Sequence, residues 1–137
     1  MKKKLFFLAA VLGFIIFAPG CKKSDTQPTP TNTTIVGTWV GTGQYGTGAG
    51  SPTYPLTLTF KANGTVDIIG NNSTATDNAT GTWQLTGDVL TAAYRYSAST
   101  ADYTLSGRFS ASLTTVAGTI GLGTATTGIG LFSVTKQ

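Results

Sequence analysis

Between residues 35 and 137, apolar side chains recur at every second position in short runs, and no stretch holds a helical period over three turns. Leu56, Leu58 and Phe60 alternate with Thr57, Thr59 and Lys61. Leu90, Ala92, Tyr94 and Tyr96 alternate with Thr91, Ala93 and Arg95, and Tyr103, Leu105, Gly107 and Phe109 with Thr104, Ser106 and Arg108. Successive side chains of a strand point to opposite faces, so period two with β-branched and aromatic residues means strands buried on one face. The pattern predicts strands at about 35–41, 54–61, 64–70, 79–86, 88–96, 102–110, 113–121 and 127–136.

The connectors alternate in length. Ala62-Asn63-Gly64 and Thr86-Gly87-Asp88 are tight turns, with residues that tolerate positive φ, and Ser110-Ala111-Ser112 is short. Longer pieces, 42–53, 71–78, 97–101 and 122–126, lie between them. In an up-and-down meander successive connectors fall at opposite ends, which predicts a cup with a looped rim and a closed base. The expected fold is all-β, an eight-stranded antiparallel up-and-down β-barrel; closure removes the sheet edges that invite aggregation. Eight strands leave an interior either filled by side chains or holding one small ligand. An open sandwich is the structural alternative.

The N-terminus belongs to a different logic. Lys2, Lys3 and Lys4 precede an apolar run from Leu5 to Phe17, too short for the ~20-residue helix that spans a bilayer and suited to a secretory signal. The single cysteine follows at once, and a lone Cys in an exported chain has no internal disulfide partner. Ala18-Pro19-Gly20-Cys21 resembles the lipobox of bacterial lipoproteins. That resemblance implies a cleaved signal peptide over 1–20 and acylation of Cys21, hence a membrane as partner through the N-terminal lipid. Lys22 to Thr34, Thr/Pro-rich and polar, reads as a flexible tether, so the expected organisation is 1–20 signal, 21–34 lipidated Cys and linker, 35–137 barrel.

This division disposes of the net charge of +4. From residue 35 onward Lys61, Arg95, Arg108 and Lys136 balance Asp67, Asp77, Asp88 and Asp102, and no basic run remains to bind nucleic acid.

Gly37-Thr38-Trp39 opens the first expected strand; Phe60-Lys61-Ala62-Asn63-Gly64-Thr65, Gly81-Thr82-Trp83-Gln84-Leu85-Thr86-Gly87-Asp88 and Phe132-Ser133-Val134-Thr135-Lys136 follow in order. Together they resemble the lipocalin-like lipoproteins of Bacteroidetes-type bacteria, within the calycin group of small barrels. The resemblance implies a Trp39 stacked under a basic side chain, Lys136 or Arg108, at the barrel base. It implies a small hydrophobic ligand as partner. Lys22 in place of the Asp that retains enterobacterial lipoproteins at the inner membrane implies an outer-membrane lipoprotein, on the periplasmic face or the cell surface. Gly-Thr-Trp recurs 44 residues on, at Gly81. Half-barrel duplication is one account; the other is that this tripeptide suits a crowded barrel base.

Catalysis is poorly supplied. The chain has no His and no Glu, and its single Cys is assigned to the lipid, so Ser–His triads and zinc sites lack their groups. An oxygen-rich loop with Asn71, Asn72 and Asp77 lacks calcium-loop spacing. The expectation is no enzyme, no metal and no cofactor. Binding has better material. Tyr94 and Tyr96 approach the rim on one strand, Tyr103 starts the next at the same end, and Tyr45 stands in a glycine-rich loop as a lid tip. Two readings stay open: a lipid-anchored binder of a small hydrophobic molecule, or a filled-core interaction module acting through its rim loops. An enclosed cavity under ~300 Å³ would count against the first. The oligomeric state is not addressed by any feature of the sequence.

Overall fold

The computed structural model describes residues 28–70 and 75–137. After a single helical turn, α1 (Asn32–Ile35), come eight strands: β1 (Gly37–Tyr45), β2 (Thr53–Phe60), β3 (Thr65–Gly70), β4 (Asn78–Thr86), β5 (Val89–Tyr96), β6 (Tyr103–Phe109), β7 (Thr115–Leu122) and β8 (Gly128–Lys136). Each pairs antiparallel with the next, and β1 pairs with β8, so the sheet closes as a barrel in chain order. The signal segment 1–20, Cys21 and the linker as far as residue 27 lie outside the described residues, as do Asn71 and Asn72.

The interior follows the alternation. Leu56, Leu58 and Phe60 of β2, Val66 and Ile68 of β3, Leu90 and Ala92 of β5, and Leu105 and Phe109 of β6 are all buried in one cluster. The base turns have the expected chemistry: Gly64 and Gly87 take positive φ, and Asn63 Oδ1 accepts from the Thr65 amide at 3.1 Å.

Two boundaries differ from expectation. The tether was expected to reach Thr34, but Pro30 is buried and Asn32–Ile35 is helical. Thr31 caps this turn: its hydroxyl accepts from the Thr34 amide, and the Thr34 hydroxyl accepts from the Thr31 amide. Ile35, expected to open the first strand, ends the helical turn instead, fully buried. At the other end β1 runs on to Tyr45, so the loop expected from 42 shrinks to 46–52. Gln44 Nε2 bonds the Gly46 and Gly48 carbonyls across that loop, and its neck is closed by Tyr45 N to Pro52 O. Tyr45 is a strand residue and not a lid tip.

Glycine lets neighbouring strands approach closely. A Cβ on Gly118 would lie 1.9 Å from the Ser106 carbonyl oxygen and 2.5 Å from Gly107 Cα, both backbone atoms that cannot swing aside. Gly118→Ala is therefore expected to push β6 from β7 and cost about 1–3 kcal/mol, read as a lower urea midpoint. Ser133→Ala, exposed on β8, should stay within about 0.5 kcal/mol of the parent. Equal midpoints for the two variants would mean that the β6–β7 pair has slack.

The 44-residue recurrence is also settled. Trp39 lies on β1 and Trp83 on β4, and in an up-and-down barrel these strands run in opposite directions. A duplicated four-strand half would have placed the second copy on β5. The tripeptide instead recurs where a large ring must be packed near the base.

Candidate functional site

The base is plugged. Trp39 is wholly buried, its Nε1 donates to the Ile35 carbonyl at 2.8 Å, and the Phe109 ring meets it edge-on at 5.8 Å. Lys136, its register partner on β8, holds Nζ 5.7 Å from the Trp39 ring centroid while donating to the Thr34 carbonyl. Of the two cations expected near Trp39, Lys136 is there. Arg108 is not: β6 alternation turns it outward, where it pairs with Asp88 on the surface. Trp83 forms a second part of this layer, its Nε1 donating to the Lys61 carbonyl at 3.0 Å and its ring edge-on to Phe60.

The opposite end is hollow. A cavity of about 250 Å³ opens at the mouth. Its volume lies below the ~300 Å³ of usual ligand pockets, so any guest it takes is small. Its size still excludes a long-chain ligand swallowed whole, because the lower barrel is filled by Trp39, Leu58, Phe60, Leu90 and Leu105.

All five tyrosines of the chain line this cup: Tyr45, Tyr54, Tyr94, Tyr96 and Tyr103. Four of these come from the sequence expectation. Tyr94 and Tyr103 are register partners on β5 and β6, stacked with centroids 5.7 Å apart, and Tyr96 stands edge-on to both. On the opposite wall Tyr45 and Tyr54 pack at 4.5 Å. Tyr54 is the residue that sequence reasoning missed. The signal was present, since Tyr54 lies two positions before Leu56 and so on the same buried face. Its seat is made by Gly43, its register partner on β1: a Cβ there would lie 2.2 Å from the Tyr54 ring.

The two walls communicate through their hydroxyls. The hydroxyls of Tyr54 on β2 and of Tyr94 and Tyr96 on β5 lie near enough to influence one another's ionisation. Burial first, then the neighbouring phenols, raises Tyr54 and Tyr94 far above the ordinary tyrosine range. Tyr96 is raised by burial as well, although the neighbouring Tyr94 and Tyr54 hydroxyls work the other way. These groups remain neutral phenols through the physiological range. Gln44 of β1 and Asp77, in a 3₁₀ turn before β4 (Ala75–Asp77), add an amide and a carboxylate to the lining.

The rim is fastened. Thr104 Oγ1 donates to the Gly123 carbonyl and Thr119 Oγ1 to the Thr126 carbonyl, each at 2.6 Å, tying the β7–β8 loop to the wall. Among the described residues no group of three His, Cys, Asp or Glu stands close enough to hold a metal ion.

Comparison with known sequences places the barrel in a family. The family described as the lipocalin-like domain covers residues 35–115, that is, β1 through β6. No curated protein matches the chain.

Proposed function

The chain belongs to the lipocalin-like domain family, and from that premise we propose that it binds one small molecule in the tyrosine-lined cup at the open end. The observation that carries this reading is the gathering of all five tyrosines around one cavity, on two opposed walls of a barrel otherwise filled. Aromatic rings supply a large contact area with few rotatable bonds, and hydroxyls and amides at the edge fix orientation. The role proposed is recognition: the cup offers mostly aromatic surface, with the Gln44 amide, the Asp77 carboxylate and tyrosine hydroxyls in its lining.

Native mass spectrometry of the full chain, extracted from its host membrane in mild detergent, tests the reading. The expected spectrum holds one small molecule per barrel, and Tyr103→Ala or Tyr45→Ala removes it without unfolding the protein. A parent spectrum with no bound species would favour the second reading, in which a protein partner covers the mouth. That alternative draws on Tyr45, Leu122 and Ile129, large apolar side chains exposed at the rim ends of β1, β7 and β8.

The proposal extends to an outer-membrane lipoprotein, anchored through lipid on Cys21 after cleavage of 1–20. Supporting it are the basic start, the apolar run and the lone cysteine. Because α1 packs at the closed base, a lipid on Cys21 tethers the barrel base-first, on an extended reach of about 30 Å, and turns the mouth away from the membrane. Cys21→Ala is expected to move the protein from the membrane to the soluble fraction. Persistence of the variant in washed membranes would exclude the lipid as its anchor.

A further inference from the structure

Cup electrostatics narrow the ligand class, and this step rests on the binding reading above. None of the described residues lining the cavity is Lys or Arg. The four cations of the barrel are placed elsewhere: Lys61, Arg95 and Arg108 in surface pairs with Asp67, Asp102 and Asp88, and Lys136 at the base. Against the described lining a carboxylate or phosphate ligand would be desolvated with no counter-charge, which is costly. The lining presents the opposite sign. Aromatic faces carry the negative side of the ring quadrupole, and Asp77 adds a carboxylate at the wall.

Hydrogen-bond supply points the same way. A sugar would need free donors and acceptors along several edges. Here Tyr54 and Tyr94 are almost wholly buried, which leaves little of their hydroxyls to a guest. What remains for a guest is mostly aromatic surface, carried chiefly by the more exposed Tyr45, Tyr96 and Tyr103, in a space of about 250 Å³. A bare metal ion is poorly served by such a surface, because rings do not replace its hydration shell. An ammonium whose charge is spread over methyl groups loses little hydration and fills the space with apolar contacts.

We propose that the cup takes the head of a small organic cation, a quaternary or alkylated ammonium, between the Tyr45–Tyr54 wall and the Tyr94–Tyr96–Tyr103 wall, with Asp77 beside it. The rest of such a ligand projects from the open mouth, which accounts for a cup too small to enclose a whole drug-sized molecule.

The test compares choline with 3,3-dimethylbutan-1-ol, the same shape with carbon in place of nitrogen, by titration calorimetry on the full chain in detergent at low salt. Choline is expected to bind roughly tenfold tighter or more, as cation–π contact in a partly desolvated site implies. Asp77→Asn should weaken choline severalfold and leave the alcohol unchanged, a split that simple damage to the fold would not produce. Tyr103→Ala should weaken both. Equal binding of the two probes would overturn the cationic assignment and leave the cup as a binding site. Choline binding unaffected by both substitutions would also overturn it, by placing the cation elsewhere. Failure of both probes would overturn it too, and the native spectrum then decides whether the cup binds anything.

Discussion

Trp39→Ala is expected to cost the barrel about 3–5 kcal/mol, the range for removing a fully buried large ring. That is a large part of the ~5–15 kcal/mol that holds a domain of this size together. The reason lies in how many parts of the base meet at this one side chain. The indole is 0 % exposed, Phe109 packs edge-on to it, its Nε1 satisfies the Ile35 carbonyl, and Lys136 sits above its face. Removing the ring leaves a cavity under the filled core. It also releases α1, whose attachment runs through Ile35 and through the Thr34 carbonyl held by Lys136. Trp39→Phe separates the two effects: most of the packing survives, but the buried Ile35 carbonyl loses its donor, at about 1–3 kcal/mol. The measurement is urea unfolding followed by near-ultraviolet circular dichroism. A Trp39→Ala midpoint close to that of the parent would mean the base is held by the strand ladder alone. Any truncated version beginning at Ile35 should share the defect, since it lacks the capped turn.

The layout of that base was legible from turn chemistry. Asn63-Gly64 and Gly87 marked tight hairpins, the longer connectors had to gather at the other end, and Tyr94, Tyr96 and Tyr103 were readable as rim residues from their positions beside those connectors. What escaped depends on contacts distant in the chain. The Thr31–Thr34 capping box uses two threonines in a polar, proline-rich stretch whose composition resembles a disordered tether. The buried seats of Pro30 and Ile35 exist only once the barrel base is closed. Arg108 and Lys136 looked equivalent as partners for Trp39, and strand register decides between them: Lys136 is opposite Trp39, and Arg108 opposite Val89 on the outer face. Tyr54 falls inside the expected strand 54–61, but the alternation is read only from Leu56 onward, which leaves its place on the buried face unassigned. In the closed barrel Pro55 lies beyond the β3 pairing, which begins at Leu56, so its missing amide costs no bond there.

Three buried phenols make the barrel sensitive to alkali. Tyr54, Tyr94 and Tyr96 have folded-state pKa values raised above the ~10 of an unfolded chain, chiefly because burial penalises the phenolate. Below pH ~10 both states hold these protons, and stability is unaffected. Above it the unfolded chain releases them while the native barrel retains them. The unfolded state then binds fewer protons, so stability falls as pH rises. Tyr54 and Tyr94 each contribute about 1.4 kcal/mol per pH unit, and Tyr96 adds in the same direction. A margin in the lower part of ~5–15 kcal/mol is exhausted between about pH 11 and 12. Phenolate absorbance at 295 nm and far-ultraviolet circular dichroism, followed together from neutral pH upward, are expected to show these three tyrosines ionising only as the barrel unfolds. Tyr54→Phe and Tyr94→Phe keep the rings but remove the proton, and each should flatten the loss of stability above pH ~10 by about 1.4 kcal/mol per pH unit. If all five tyrosines ionise near pH ~10 in a barrel that stays folded, their hydroxyls are in contact with water and burial does not hold them neutral.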